Sequence, residues 1–549
     1  MKSSLMLTLL ILAALLVPSA SVAAPAASGI DFPALDAAIT AQMSKHGLPG
    51  VALAVVENGE IVYSQGYGTA GRGRPMTAQT QMLIGSQSKS FTALAIAQLA
   101  EAGQLDLDAP VQAAIPWFRV ADEDASARIT INHLLHHTSG LSDAGYAVVL
   151  PDDATPEQAV RSLAQAQITA SVGSKHQYFN RGYTTLAYIV ELVSGQSYAD
   201  YVQAHILDPL GMIASTAAPA TATGLTQGYT RLFGFPVPMR ERIPVYGVGE
   251  GFIVSTAEDM ARYAIAVMDE GAGLVSPAMM RRILTPGLGA YGMGWIIVDG
   301  GAKILHGGAN QTFRTDVNLY PQADRAFVLL TNEGHQVDHF VSAAQLTASV
   351  EAVILGRTPP PVGQGWSVRW VGWGLGALVL GLVVLHTRNL LALRDWRARA
   401  RRMTPARRAL DVAISFIIPT AILTIVFWQV SAFYGNRFNL RTNLAYFRLG
   451  LPDVFVLMIV GTIPDYVQGM VKLVWVLRGK ARPALAALAV IALLTASCAT
   501  LRSAARGAYP AADSACTTAL PTFPNAPVTS MVSVIASLLT LDKYIDQLV

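Results

Sequence analysis

Four apolar runs in the last third of the chain limit its fold more than any other feature. They lie near Val368–His386, Ala409–Val430, Val454–Leu477 and Ala484–Leu501. Runs of about 18 apolar residues or more are the length of a helix that crosses a bilayer. The third run is interrupted by Pro464 and Asp465, and the fourth is the shortest signal. Composition agrees: 52% of the residues are hydrophobic and only 14% charged, too apolar for an ordinary soluble protein. Between the first two runs stand Arg388, Arg394, Arg397, Arg399, Arg401, Arg402, Arg407 and Arg408. Cationic loops stay on the cytoplasmic side, so the chain before Val368 is expected outside. Arg478, Lys480 and Arg482 fall on the same side, while Arg437, Arg441 and Arg448 form a weaker contrary cluster.

The amino terminus supports that orientation independently. Lys2, the apolar run Leu5–Val17 and the small residues Ser21-Val22-Ala23 have the order of a cleaved secretory signal. Only two cysteines occur, Cys498 and Cys516, so no disulfide framework is expected. Net charge is +3 and its arginines are concentrated between apolar runs, where topology explains them. No basic face appears on a folded segment, so nucleic acid is not an expected partner. The expected division is a signal peptide at 1–23, a folded domain at 24–355 and a linker at 356–367. Membrane helices at 368–501 and an extracytoplasmic tail at 502–549 follow. The linker, Gly356 to Gly365 with three successive prolines, is a stiff spacer. The protein is thus expected in the plasma (inner) membrane, multi-pass, with its folded domain periplasmic or extracellular.

Within the domain, Phe32–His46 has a helical pattern. Gly50–Val56 and Glu60–Gln65 alternate around Asn58-Gly59, a strong hairpin signal. The stretch Leu105 to Arg240 reads as helical and loop-rich. A helix is expected over Val254–Glu270, then β-prone runs at Tyr291–Val298, Thr315–Tyr320 and Ala326–Thr331, then a helix at Val341–Leu355. Early strands, a helical middle and late strands predict an α+β domain. Its antiparallel sheet would join both ends of the segment, flanked by helices, with an inserted helical lobe and a helical membrane bundle to follow.

The stretch Ile84-Gly85-Ser86-Gln87-Ser88-Lys89 is where chemistry enters. A short apolar run reaches a glycine and a helical pattern starts, with Phe91, Leu94, Ile96 and Leu99 as its buried positions. Ser86 and Lys89 lie three residues apart and share a helix face. A hydroxyl, an amine within reach and the positive end of a helix are the requirements of acyl transfer. The plainer reading is a serine cap with an exposed lysine. Tyr178-Phe179-Asn180, before the apolar helix Leu186–Val193, and His306-Gly307-Gly308, closing a strand-like run, are two further candidates. Alone, they read as a half-buried aromatic, a helix cap and a strand-end histidine.

Taken in order with Ile129–Leu141, Asp208–Met212 and Gly251–Met260, these motifs resemble the serine β-lactamase-related hydrolases. That family includes class C β-lactamases, D-alanyl-D-alanine carboxypeptidases, D-aminopeptidases and esterases, and Ser-x-x-Lys is among its signatures. The resemblance spans about Asp31 to Leu355 and implies roles. Ser86 would be the acylated nucleophile, Lys89 the amine that activates it and Tyr178 a proton relay. Asn180, His306 and Gly308 would bind substrate, and the backbone N–H groups of Ser86 and Ala309 would hold the oxyanion. No metal or organic cofactor is implied; the partners would be a small-molecule or peptide substrate and the lipid bilayer. Amides and esters such as D-amino-acid peptides or cell-wall fragments are the expected substrates. Lipid-like esters, or a non-catalytic penicillin-binding-like sensor, are the alternatives.

Two departures stand out. Many β-lactamases have Lys-Thr-Gly where this chain has His306-Gly307-Gly308, and histidine attracts a carboxylate only when protonated. Efficient β-lactam hydrolysis is therefore not expected. Relatives often carry a further glycine where this chain reads Ala309-Asn310-Gln311-Thr312-Phe313. Finally, His133, His136 and His137 have the spacing of metal ligands on a helix. No Glu follows His133, and the stretch matches a structural segment of the family, so metal is not expected there.

Overall fold

The computed structural model describes residues 29–146, 148–335, 341–362, 367–433 and 451–478. The expected signal peptide, the fourth apolar run, the tail and both cysteines lie outside the described residues. The expected α+β domain is present, with an antiparallel sheet whose strands come from both ends of the segment.

The sheet is built on a run with no polar face. Strand β1, Gly50–Glu57, is buried at Gly50 through Val56. Its Val51, Leu53 and Val55 enter one core with helix α1, Phe32–His46. Its Ala52, Ala54 and Val56 enter the other, larger core. A strand buried on both faces cannot alternate, which is why its sequence is continuously apolar. Strand β2, Glu60–Gly71, returns from it. The turn residues Asn58 and Gly59 both have positive φ, 53° and 73°, as a two-residue hairpin requires.

Two short strands follow, β3, Arg74–Pro75, and β4, Met82–Leu83. They precede the central helix α2, Ser88–Glu101. The late strands are β8, Ile296–Val298; β9, Lys303–Ala309; β10, Arg314–Tyr320; and β11, Arg325–Thr331. They complete a seven-stranded sheet ordered β3-β2-β1-β11-β10-β9-β8. Helices α1 and α5, Ser342–Ile354, cover one face, with Leu35, Ile39, Leu346 and Val350 against Phe327 and Leu329. The other face carries α2 and α4, Ala257–Met268. Between them lies the helical lobe, which includes α3, Asn180–Ser194.

Three sequence expectations need correction. The helix expected from Val254 begins at Ala257, capped by Thr256, because Val254–Ser255 forms a short strand, β7, with β4. The strand expected over Tyr291–Val298 is regular only from Ile296; Gly292 and Gly294 interrupt it with a turn. The stretch to Arg240 contains a hairpin, β5, Gly228–Leu232, and β6, Phe235–Met239.

Beyond the domain are α6, Val368–Ala392; α7, Pro405–Phe433; and α8, Pro452–Arg478. Among the described residues, three helical stretches are long and apolar enough to cross a membrane: Val368–Arg401, Pro405–Val426 and Pro452–Leu477. Two pairs of polar residues meet between them. Lys472 meets Asp411 at 3.0 Å, and the His386 ring lies 3.4 Å from an Asp465 oxygen.

Candidate active site

Ser86 is the one opening in a buried stretch that leads into the central helix. From Met82 to Ala97 every residue is buried except Ser86. It stands in a single 3-10 turn, Gly85–Gln87, just before α2, rather than on the regular helix. Gly85 has φ +54°, and a Cβ there would come within 2.4 Å of the Ala309 backbone nitrogen. A Cβ on Gly308 would come within 1.9 Å of the Ile84 carbonyl. Gly308 therefore serves close packing: without a side chain, β9 passes directly beside the serine turn. The two proposed oxyanion donors belong to these two apposed segments.

Lys89 is fully buried and makes three contacts. Its Nζ donates to Asn180 Oδ1 at 2.8 Å, lies 3.2 Å from Ser86 Oγ and donates to the Glu250 backbone carbonyl. Burial disfavours its charged form and lowers its pKa to about 7, against the opposing pull of Glu250 and Asp143; Arg181 lowers it further. An amine that is half neutral near pH 7 can accept a proton. Tyr178 stands over the same amine, with the Lys89 nitrogen 4.9 Å from its ring centre. The residue is 36% exposed. Desolvation raises its pKa, with Ser86 opposing, so the phenol is neutral and suited to relay a proton. Asn180 is the first residue of α3, whose cap is Phe179. Its side chain contacts Lys89 instead of closing the helix.

His306 is 4% exposed and neutral. Burial lowers its pKa to about 4, the nearby Lys89 adding to the effect. Its Nε2 pairs with the Tyr291 hydroxyl at 3.0 Å and its Nδ1 with the Gly307 carbonyl at 2.7 Å. With Nδ1–H donating to the carbonyl, Nε2 is left to accept from the tyrosine.

Three residues that sequence reasoning did not place belong to this site: Glu250, Tyr291 and His137. Glu250 supplies a backbone carbonyl, for which no side-chain pattern exists. Its carboxylate meets Arg181 at 2.5 Å and Thr184 at 2.6 Å, both on α3. Tyr291 orients His306. His137, considered above only as a metal ligand, adopts φ +56°, an unusual conformation for a non-glycine residue. Its ring packs 4.3 Å from that of Tyr178. The other two histidines act elsewhere: His133 Nδ1 accepts from the Thr130 N–H at 3.1 Å, and His136 Nδ1 lies 3.3 Å from the Tyr291 carbonyl. Among the described residues no three His, Cys, Asp or Glu side chains cluster as metal ligands.

The folded domain is similar to known proteins. Penicillin-binding protein 4 of Amycolatopsis lactamdurans is 28% identical over 320 residues, 54% of this chain and 84% of that one. Protein flp of Staphylococcus aureus is 26% identical over 319 residues, and the chain spans only 62% of that relative's length. The octameric penicillin-binding protein homologue from Pyrococcus abyssi has a TM-score of 0.53 at 27% identity, over 60% of this chain and 78% of that one. EstCE1, a hydrolase with promiscuous acyltransferase activity, has a TM-score of 0.53 at 21% identity, over 59% of this chain and 98% of that one, a likeness of fold. The model of the family described as Beta-lactamase matches residues 35–352, more than half of the sequence, and the chain belongs to that family.

Proposed function

We propose that this protein is a membrane-tethered, extracytoplasmic serine hydrolase that forms an acyl-enzyme on Ser86. The observation that carries the reading is the 3.2 Å approach of a buried, near-neutral Lys89 amine to the Ser86 hydroxyl. As Oγ bonds to the substrate carbonyl carbon, its proton passes to Lys89, directly or through Tyr178. The oxyanion is held by the backbone N–H groups of Ser86 and Ala309. The bond to the leaving amine or alcohol then breaks, and that group takes the proton. Water attacks the acyl ester in turn, and Ser86 regains its hydrogen as the acid leaves.

The neutral His306 bears on substrate class. A lysine at this position attracts a substrate carboxylate by charge; an imidazole with pKa about 4 does not at neutral pH. Esters, and amides without a carboxylate at that end, are therefore favoured over carboxylate-bearing β-lactams. The arginine cluster 388–408 and the signal-like amino terminus support an outside location for the domain.

Turnover of a panel of p-nitrophenyl esters, D-amino-acid amides and D-alanyl-D-alanine peptides by the full chain in detergent tests this reading. Ester turnover that Ser86→Ala abolishes, with folding intact, supports it. Equal rates in both proteins, or no turnover of any of the three classes, contradicts it and favours a binding module.

A further inference from the structure

The β5–β6 hairpin ends in a turn, Phe233-Gly234, in which both residues have positive φ, 51° and 81°. The second position suits glycine; the first is a strained place for phenylalanine. Its surroundings explain the choice. The turn is seated on the first membrane-length helix, α6, over Gly372 and Gly376, one helical turn apart. A Cβ on Gly372 would meet the Gly234 nitrogen at 2.2 Å, and one on Gly376 would meet Phe233 Cβ at 3.2 Å. The glycines form a groove that the turn fills. From the other side, Phe233 N–H donates to Asp453 Oδ1 at 2.9 Å, near the start of α8. The folded domain is thus clamped to two of the membrane-length helices, not merely linked to them through residues 356–367.

This seat leaves aromatic surface uncovered. Phe235 is 57% exposed, and its ring lies 6.4 Å from that of Trp373, itself 43% exposed; Trp370 beside them is 69% exposed. The patch is continuous with the exposed apolar surface of α6, at Val371, Leu378 and Leu380. Tryptophan at the end of a membrane span is a residue of the lipid–water interface, and Phe235 adds apolar surface beside it. We infer that the tip of the β5–β6 hairpin is inserted in the outer leaflet of the bilayer, with Phe235, Trp370 and Trp373 in contact with lipid. The inference rests on the reading of α6–α8 as bilayer-spanning helices. It adds a second attachment of the domain to the membrane and sets its distance from the lipid surface. At about 3.3 Å per residue the five-residue strands extend roughly 16 Å from this tip. Just past their base, Glu241 accepts hydrogen bonds from the backbone and hydroxyl of Thr312, in the loop that follows Ala309.

The test uses the full chain with Cys498→Ser and Cys516→Ser, reconstituted in phosphatidylcholine vesicles. An environment-sensitive fluorophore is attached at Phe235→Cys or, separately, at Val383→Cys within α6. Quenching by lipids spin-labelled near the headgroup is compared with quenching by aqueous iodide. Quenching by lipid at both positions, with a blue-shifted emission at 235, supports insertion. Gly372→Leu, which fills the groove, then reduces lipid quenching at 235 and leaves it unchanged at 383. Lipid quenching at 383 with iodide quenching at 235 overturns the insertion and leaves the membrane reading standing. Iodide quenching at both positions overturns both. If Gly372→Leu changes nothing at 235, the seat on α6 is wrong.

Discussion

His137 holds the segment that carries Tyr178 from both sides of the tyrosine. The His137 carbonyl accepts the Gln177 N–H at 2.7 Å, and its Nδ1 accepts the Phe179 N–H at 3.2 Å. Both bonds need the left-handed backbone at His137, and the second needs a neutral ring. Burial holds the ring neutral, its pKa pushed well below the usual histidine value. Asparagine tolerates positive φ and has a side-chain acceptor; leucine has neither advantage. His137→Leu is expected to lower kcat by about 10²-fold, the scale of a displaced proton-transfer group. His137→Asn is expected to keep most of it. Equal losses in kcat for the two variants would show that the ring's bulk matters rather than its grip.

Arg181 and Glu250 form a nearly buried pair whose two residues each lead to Lys89. Arg181 directly follows Asn180, and the Glu250 carbonyl accepts from Lys89. Arg181→Met strands a buried carboxylate, which costs about 3–5 kcal/mol, read as a fall in thermal midpoint. It also removes a cation that lowers the Lys89 pKa. The acid limb of kcat/KM is then expected to move to higher pH. A lower midpoint with an unmoved limb would make the pair purely structural.

The pH profile of the unmodified protein follows from Lys89. Only the neutral amine accepts the serine proton, so kcat/KM is expected to rise with pH through about 7 and then level. Stability shares the cause. The amine has a pKa near 10.5 unfolded and about 7 folded, so between these values the unfolded chain binds more protons. Stability therefore rises with pH across that window. Lys89→Met is expected to be more stable than the unmodified domain, by a margin that grows as pH falls from 10 to 7. Denaturant midpoints at several pH values measure this; a margin independent of pH would contradict the buried neutral amine.

Neutral His306 predicts an absence of pH dependence in carboxylate binding. For a peptide ending in a free carboxylate, KM relative to that of its amide is expected to stay constant from pH 5 to 8, above the His306 pKa of about 4. A ratio that improves several-fold as pH falls through 6.5 would mean that the imidazole takes up a proton to bind the substrate.

Much of this was legible in the chain because local rules and tertiary needs agreed. Asn58-Gly59 dictates its hairpin, and the unbroken apolar run of β1 marks a strand covered on both faces. Ser86 and Lys89 are close because helical spacing makes them so. What was not legible depends on partners distant in sequence. The β5–β6 hairpin carries Pro236 and Pro238 and turns on Phe-Gly, a poor strand signature, and it is sustained by its seat on α6. Strand β9 runs through Gly307-Gly308, residues that weaken a strand locally but let it pass Ile84 and Gly85. His137 sat among metal-like spacings, and its grip on Tyr178 requires a backbone conformation that no side-chain pattern announces.

The most direct test is to find which atom becomes acylated. The full chain is incubated with a slowly deacylating activated ester, and intact mass and peptide mapping locate the adduct. The expected result is one acyl group per chain, on the peptide containing Ser86, absent in Ser86→Ala and formed far more slowly in Lys89→Met. An adduct on another residue, or one of undiminished yield in Ser86→Ala, would contradict the assignment of Ser86 as the nucleophile.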